Sequence, residues 1–304
     1  MNQNEMTIGK VRLNLEYYKG EDLYSDGDIE DEILEIVKRS EVYDKAIADS
    51  DRFEVFYHLS KEREMIARIM DITKKDKVLE IGAGCGAVTG ALAEMAGSVE
   101  CVELSKRRSL INAYRHKDCD NIQIDIGNYE DIPFNKKYSV ITLIGVLEYA
   151  GYYIHSQEPY KDFLADVRSK MTDGGLLYIA IENRLGMKYF AGCKEDHLGK
   201  EFAGIEGYEA RDGVRTFSYY ELIELFKSVG FSEYEFYYPY PDYKFPHAIY
   251  SDAYLPQSGC FVEKGTNYTS SRKQIFDETR AFDSLVMKDE FKIFSNSFLV
   301  ALRK

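Results

Sequence analysis

In the first fifty positions apolar residues recur with helical spacing only once, where Ile29, Ile33, Ile36 and Val37 fall on one face. The rest of 1–52 is irregular and acidic, so this segment reads as a helical N-terminal extension or cap. From Phe53 the pattern changes to helices alternating with short apolar runs. A helix at 60–70 precedes a strand at Lys77–Ile81, and a small-residue helix at 87–96 precedes a strand at 99–102. A helix at 106–116 leads to the strand Ile122–Ile126, and the apolar run 139–144 is a fourth strand. Tyr160, Phe163, Leu164, Val167 and Met171 share one face of a helix at 159–171, which Asp173-Gly174-Gly175 closes before a fifth strand at 176–181. Strands and helices alternating in this way predict an α/β fold built of βαβ units.

A polar stretch at 182–215, punctuated by glycine, is too long for an ordinary connection and is expected to carry function. A helix restarts at Ser218, with Glu221 three residues on as a capping box and Gly230 beyond its far end. Apolar runs at 233–238 and 297–302 complete the sheet, separated by a second insert at 239–294. The expected domain therefore spans 53–304, with inserts after strands five and six.

Composition narrows the classes. A chain of 304 residues with 45% hydrophobic and 30% charged positions folds around a large core. Its 39 basic and 52 acidic residues leave a net charge of −13, a field that repels phosphate backbones, so nucleic acid is not the expected partner. Asp26, Asp28 and Glu30 superficially suggest a calcium loop, but Asp31 and Val37 stand where glycine and glutamate are needed. The five cysteines form no C-x-x-C pair, and no metal site is expected. With a polar start and no apolar run of membrane length, the expected location is cytoplasmic, without membrane contact. The 25 Tyr and 17 Phe, with no Trp, suit either the walls of a polar-ligand pocket or ordinary packing.

The chemistry starts at Val78-Leu79-Glu80-Ile81-Gly82-Ala83-Gly84-Cys85-Gly86, an apolar strand entering a glycine turn and then a helix. Backbone in such a turn can approach a nucleotide-like ligand closely. Gly82, Gly84 and Ala87 also satisfy a loose dinucleotide fingerprint, so an NAD(P)-dependent oxidoreductase is a rival reading. Charge separates the two. A dinucleotide brings pyrophosphate to the turn, for which Glu80 is a poor neighbour, whereas S-adenosyl-L-methionine brings an ammonium and a sulfonium, for which it is a good one, directly or through water. About twenty residues later, Glu103 at the end of the second strand is placed to accept from both ribose hydroxyls.

These residues, together with Gly127-Asn128-Tyr129-Glu130-Asp131-Ile132-Pro133-Phe134 and Ile144-Gly145-Val146-Leu147-Glu148-Tyr149, resemble successive motifs of the class I S-adenosylmethionine-dependent methyltransferases. The resemblance covers about 53–304. It implies a Rossmann-like seven-stranded sheet whose last strand is antiparallel. It also implies that Gly82, Ala83, Gly84 and Gly86 meet the methionine part, and that Glu103, with Leu104 beside it, holds the ribose. Asn128 and Tyr129 would lie at the adenine edge, with Ile144 to Leu147 lining the cofactor floor. The family commonly has Asp where Asn128 stands. Arg63 would pair with the cofactor carboxylate or else be an exposed helix arginine. The segment 182–190, continuing to Glu195-Asp196-His197, resembles bacterial methyltransferases associated with surface-glycan assembly.

Methyl transfer is an in-line displacement that depends mainly on positioning, although a hydroxyl acceptor also needs a base. His197, with an ordinary pKa near neutrality, is the expected base, while Glu182 and Asn183, or Glu148, orient the acceptor. His155 and His247 are weaker candidates, and His58 is assigned to a lid. The expected acceptor is a small molecule or glycan, methylated on oxygen or nitrogen. A peptide acceptor and a catalytically silent binding protein are the remaining alternatives.

Overall fold

The computed structural model describes residues 4–209, 212–262, 272–288 and 290–304. Positions 210–211 of the first insert, and 263–271 and 289 of the second, lie outside the described residues. The chain divides into two compact units, Met1–Leu143 with Lys170–Leu176, and Ile144–Ser169 with Leu177–Lys304.

The first unit holds β1 (Glu5–Ile8), β2 (Val11–Asn14), β3 (Lys77–Ile81), β4 (Ser98–Glu103), β5 (Ile122–Ile126) and β6 (Tyr138–Ile144), the last of which ends at the boundary. Their lateral order is β1-β2-β5-β4-β3-β6. β1 and β2 form an antiparallel hairpin, and β2 lies parallel to β5. β3 runs parallel to both β4 and β6, and β4 parallel to β5. Val78, Leu79 and Ile81 are all buried, as in strands covered on both faces. The hairpin of β1 and β2 is an addition to the strands that the sequence predicts. Each is four residues long, too short for the alternation of Met6, Ile8, Val11 and Leu13 around Gly9 to stand out.

The predicted apolar face of 29–37 does form. Within the helix Ile29–Arg39, Ile29, Ile33 and Val37 are buried against Tyr43, Val55, Leu59, Cys85 and Ile111, with Ile36 partly buried. Polar contacts add to this packing. Arg108, on the helix Lys106–Arg115, donates from Nε to Glu30 and from Nη2 to Asp26, each at 2.7 Å. Asp22 accepts from the backbone of Lys106 and Arg107 at the start of the same helix, satisfying amides that no helix satisfies internally. Asp26 and Glu30, which do not fit a calcium loop, instead hold a buried guanidinium. His58 is a correction: it is buried and bonded to Asp26 at 2.7 Å, a packing element and not part of a lid. The helix predicted at 60–70 is reduced to a 3-10 turn, Lys61–Glu64, and one short helix, Met65–Arg68.

β7 (Met171–Glu182) starts in the first unit and continues into the second, which also holds β8 (Glu233–Tyr240), β9 (Ala248–Ser251) and β10 (Ser297–Arg303). Their order is β7-β10-β8-β9, with β10 antiparallel to β8 as the resemblance implied, and β9 antiparallel to β8. All seven strands read from the sequence are present, and the described residues hold ten rather than seven because β1, β2 and β9 are added. Ser218 and Glu221 make the predicted capping box on the helix Tyr219–Ser228. The aromatic excess goes mainly into packing. Phe236 alone has the rings of Tyr219, Phe226, Tyr238 and Phe298 within 4.5–6.5 Å. No helix among the described residues is long and apolar enough to cross a membrane.

Candidate functional site

The first unit builds the glycine turn. Beyond β3, the amides of Gly82 and Ala83 donate to the Val102 carbonyl at 2.8 and 3.1 Å, so the chain turns hard against β4. Gly82, Gly84 and Gly86 all have positive φ, which explains the residue type at each. Their surroundings differ. A Cβ on Gly86 would run into the Asn112 amide and approach His116, whereas a Cβ on Gly84 would meet nothing within 4 Å. Gly86 is there for packing, and Gly84 faces open space.

Glu103 is buried at the end of β4. Its carboxylate accepts from the Gly84 amide at 2.7 Å and the Ser105 amide at 2.9 Å, which fixes its plane and leaves each oxygen further acceptor capacity. Burial raises its pKa, against the pull of Arg108. Glu80 lies deeper, accepting from the Thr89 hydroxyl at 2.7 Å and the Cys101 thiol at 3.4 Å, and burial pushes it up to about 7. An ammonium nearby would restore its charge.

Arg63 departs from the exposed-helix alternative: it is buried, its guanidinium stacks on the Tyr57 ring at 3.9 Å, and Nη1 has no hydrogen-bond partner among the described residues. A buried donor left in this way matches a carboxylate ligand. Asn128 precedes the 3-10 turn Tyr129–Asp131, and Tyr129 packs on Phe134 with ring centroids 5.2 Å apart. Leu104 and Ile144 are half-buried, Ile144 as the last residue of β6.

The second unit gathers a buried charge cluster at the end of β7. Glu182 is fully buried; Oε1 accepts from Lys244 Nζ, and Oε2 lies 3.4 Å from His197 Nε2. The other ring nitrogen of His197 is 3.0 Å from the Tyr149 hydroxyl, and its backbone amide donates to Glu195. Burial alone would lower the His197 pKa, but Glu182 overrides it and holds the ring at about 9. His197 therefore carries a proton at neutral pH, unlike the near-neutral base expected from sequence. For Glu182 burial works upward, and Lys244 and His197 together bring it well below the usual range.

Glu148 differs from both. It is buried, neither carboxylate oxygen has a hydrogen-bond partner among the described residues, and burial followed by the charge of Glu182 pushes its pKa up. A Cβ on Gly145 would lie 2.8 Å from the Tyr243 hydroxyl and 3.5 Å from Glu148 Oε1, so glycine keeps that space clear. Asn183 has a different role from the acceptor orientation expected of it. Its amide donates to the carbonyls of Ile293 and Ser295 and accepts from Leu185, which commits it to holding the strand end.

Sequence reasoning missed Lys244, Lys188, Asp242 and Tyr149. Lys188 bridges Asp196 and Asp242 at 2.9 and 2.7 Å, and Lys244 reaches Asp196 at 3.0 Å. The available signal was a lysine set between Tyr243 and Phe245, where a solvated charge is out of place. Among the sequence candidates, Glu148, Glu182 and His197 come together, with one ligand atom from each within 4.8 Å of the others. His155 and His247 are not among them.

A methyltransferase-domain family profile matches residues 54–235, which include the glycine turn, Glu103, Glu148, Glu182 and His197. A Staphylococcus carnosus protein described as an uncharacterized methyltransferase is 28% identical over 202 residues, 65% of this chain and 88% of the relative. Among solved structures, a SAM-dependent methyltransferase from Thermotoga maritima is 16% identical with a TM-score of 0.46, covering 90% of this chain and 99% of its own. An N-methyltransferase from Bradyrhizobium japonicum, solved with S-adenosyl-L-homocysteine, is 18% identical with a TM-score of 0.35, over 50% of this chain and 74% of its own. The family match spans more than half of the 304 residues and takes in the turn that the resemblance assigned to the cofactor. The chain belongs to the methyltransferase family and is an S-adenosylmethionine-dependent methyltransferase.

Proposed function

We propose that the enzyme methylates a hydroxyl or amine of a small molecule or glycan, bound at the cluster of Glu148, Glu182 and His197, and that the glycine turn with Glu103 and Arg63 holds the donor. The observation that carries this reading is Glu148, a carboxyl buried with both oxygens unpartnered. A buried polar group left in that condition is destabilised by roughly 1–3 kcal/mol. An acceptor hydroxyl or amine donates the missing hydrogen bond and becomes oriented by it. Glu182 and His197 are held by Lys244 and Tyr149, so the walls around that acceptor are rigid. The sequence likeness of 182–190 and 195–197 to methyltransferases of glycan assembly supports a sugar hydroxyl within this class.

On the donor side, the open space at Gly84 admits the methionine part, and the free Nη1 of Arg63 meets its carboxylate. The methyl group then passes from sulfur to the acceptor in one displacement, for which exclusion of water and collinearity matter more than covalent help. Nothing in the family match or the relatives favours the oxidoreductase or the silent binder.

The test is a screen of hydroxyl and amine acceptors with S-adenosyl-L-methionine, read by mass spectrometry, in the parent, Glu148→Gln and His197→Ala. Turnover about 10²-fold lower in both variants, as loss of acceptor positioning produces, with cofactor affinity unchanged, is expected. Parental turnover in both variants refutes the acceptor assignment.

A further inference from the structure

We infer that Glu148, Glu182 and His197 form a binding site for one divalent transition-metal cation, of the Mn²⁺ or Zn²⁺ kind. One ligand atom from each residue lies within 4.8 Å of the others. Two ligands bound to one such ion at about 2.1 Å are about 3.0–3.4 Å apart, depending on octahedral or tetrahedral geometry. Glu182 Oε2 and His197 Nε2 are 3.4 Å apart, long for a hydrogen bond but matching one edge of that polyhedron.

Two further features point the same way. Each of the paired ligands is already oriented through its other polar atom: the Tyr149 hydroxyl meets His197 Nδ1, and Lys244 Nζ holds Glu182 Oε1. That leaves Nε2 and Oε2 facing the site, the arrangement by which outer partners set metal ligands. Glu148 supplies the independent observation. Its two oxygens are buried and unpartnered, and a cation is the partner that satisfies both in a mono- or bidentate mode. Two carboxylates and one imidazole, with no thiolate, select the middle of the divalent series over Ca²⁺. The imidazole must be neutral to ligate, so the proton of His197 leaves when the ion enters.

The consequence for catalysis rests on the proposed acceptor site, whereas the binding itself does not. A cation there coordinates an acceptor hydroxyl and draws off its proton to solvent; the alkoxide attacks the methyl carbon, a C–O bond forms, the C–S bond breaks, and S-adenosylhomocysteine departs.

The experiment titrates the EDTA-treated, dialysed full chain with MnCl2, followed by electron paramagnetic resonance, and with ZnCl2, followed by calorimetry. One saturable site is expected for at least one ion, with affinity at least tenfold lower in Glu148→Gln and in His197→Ala. Binding of S-adenosyl-L-homocysteine, measured in parallel, checks that each variant is folded, and its failure bears on the cofactor turn rather than on the metal. Lys292→Ala, outside the cluster, is expected to bind the ion like the parent. Absence of saturable binding of both ions, or equal affinity in parent, Glu148→Gln and His197→Ala, overturns the inference.

Discussion

Two glycines of one turn, Gly84 and Gly86, are expected to fail in opposite ways when each is given a methyl group. Both have positive φ, so an alanine at either position brings a backbone strain of roughly 1–2 kcal/mol. At Gly84 that is the whole effect on folding, because the added Cβ has nothing within 4 Å. At Gly86 the Cβ displaces Asn112, whose amide donates to Thr89 and thereby supports Glu80, and it also crowds His116. Overpacking of this kind adds about 1–3 kcal/mol. Gly86→Ala is therefore the less stable protein by that difference, with a lower thermal midpoint. The ranking reverses for ligand: Gly84→Ala places its methyl where the donor passes, and its affinity for S-adenosyl-L-homocysteine falls tenfold or more, about 1.4 kcal/mol. Gly84→Val sharpens the loss. Thermal unfolding and titration calorimetry on the two alanine variants decide the matter. If Gly84→Ala binds like the parent, the space at Gly84 is not the cofactor's, and if it unfolds as early as Gly86→Ala, that space is not open.

Glu103→Ala is expected to weaken S-adenosyl-L-homocysteine by about 1.5–3 kcal/mol for each charged hydrogen bond removed and Glu103→Gln by less; parental calorimetric affinity in both moves the ribose elsewhere. Arg63→Gln is expected to lower affinity for S-adenosyl-L-homocysteine about tenfold but leave methylthioadenosine, which lacks the carboxylate, unaffected; equal losses for the two ligands remove Arg63 from the carboxylate. Burial and the charge of Arg115 depress the pKa of His116 from 6.5 to about 3, so the unfolded chain takes up a proton that the folded one refuses. Stability is full above pH 6.5 and falls toward pH 3 by about 1.4 kcal/mol per pH unit from this group. His116→Gln should flatten that slope in denaturant titrations at pH 7, 6 and 5, and an unchanged slope refutes the assignment.

The strands from β3 onward, except β9 inside the stretch read as an insert, were legible because each is a buried apolar run, and the capping box at Ser218 because its spacing is local. The hairpin of β1 and β2 was not, since its stability comes from pairing with β5, more than a hundred positions away. The glycine turn could be read almost residue by residue, as the positive φ at Gly82, Gly84 and Gly86 dictates glycine directly. The acidic cluster could be read only by halves. Glu148, Glu182 and His197 stand at or after strand ends, where ligands gather, but Lys244, which lowers the pKa of both carboxyls, is connected to them by no spacing rule. His197 reads as a near-neutral base in the sequence because the spacing does not show that Glu182 lies beside it and raises its pKa to about 9 against burial.

The ion pairs of Arg108 with Asp26 and Glu30 bear on how such a protein can be inherited and trimmed. Cutting the chain at 52 would remove both carboxylates that pair with Arg108, take Asp22 from the helix amides it satisfies, and uncover Val55, Leu59 and Ile111, against which Ile29, Ile33 and Val37 pack. The leading segment therefore cannot be shed, swapped or replaced by a foreign partner as a detachable module would be. Asp26 and Glu30 are tied to Arg108 side chain to side chain, so these three positions change together, whereas position 22 serves backbone amides and needs only an acceptor.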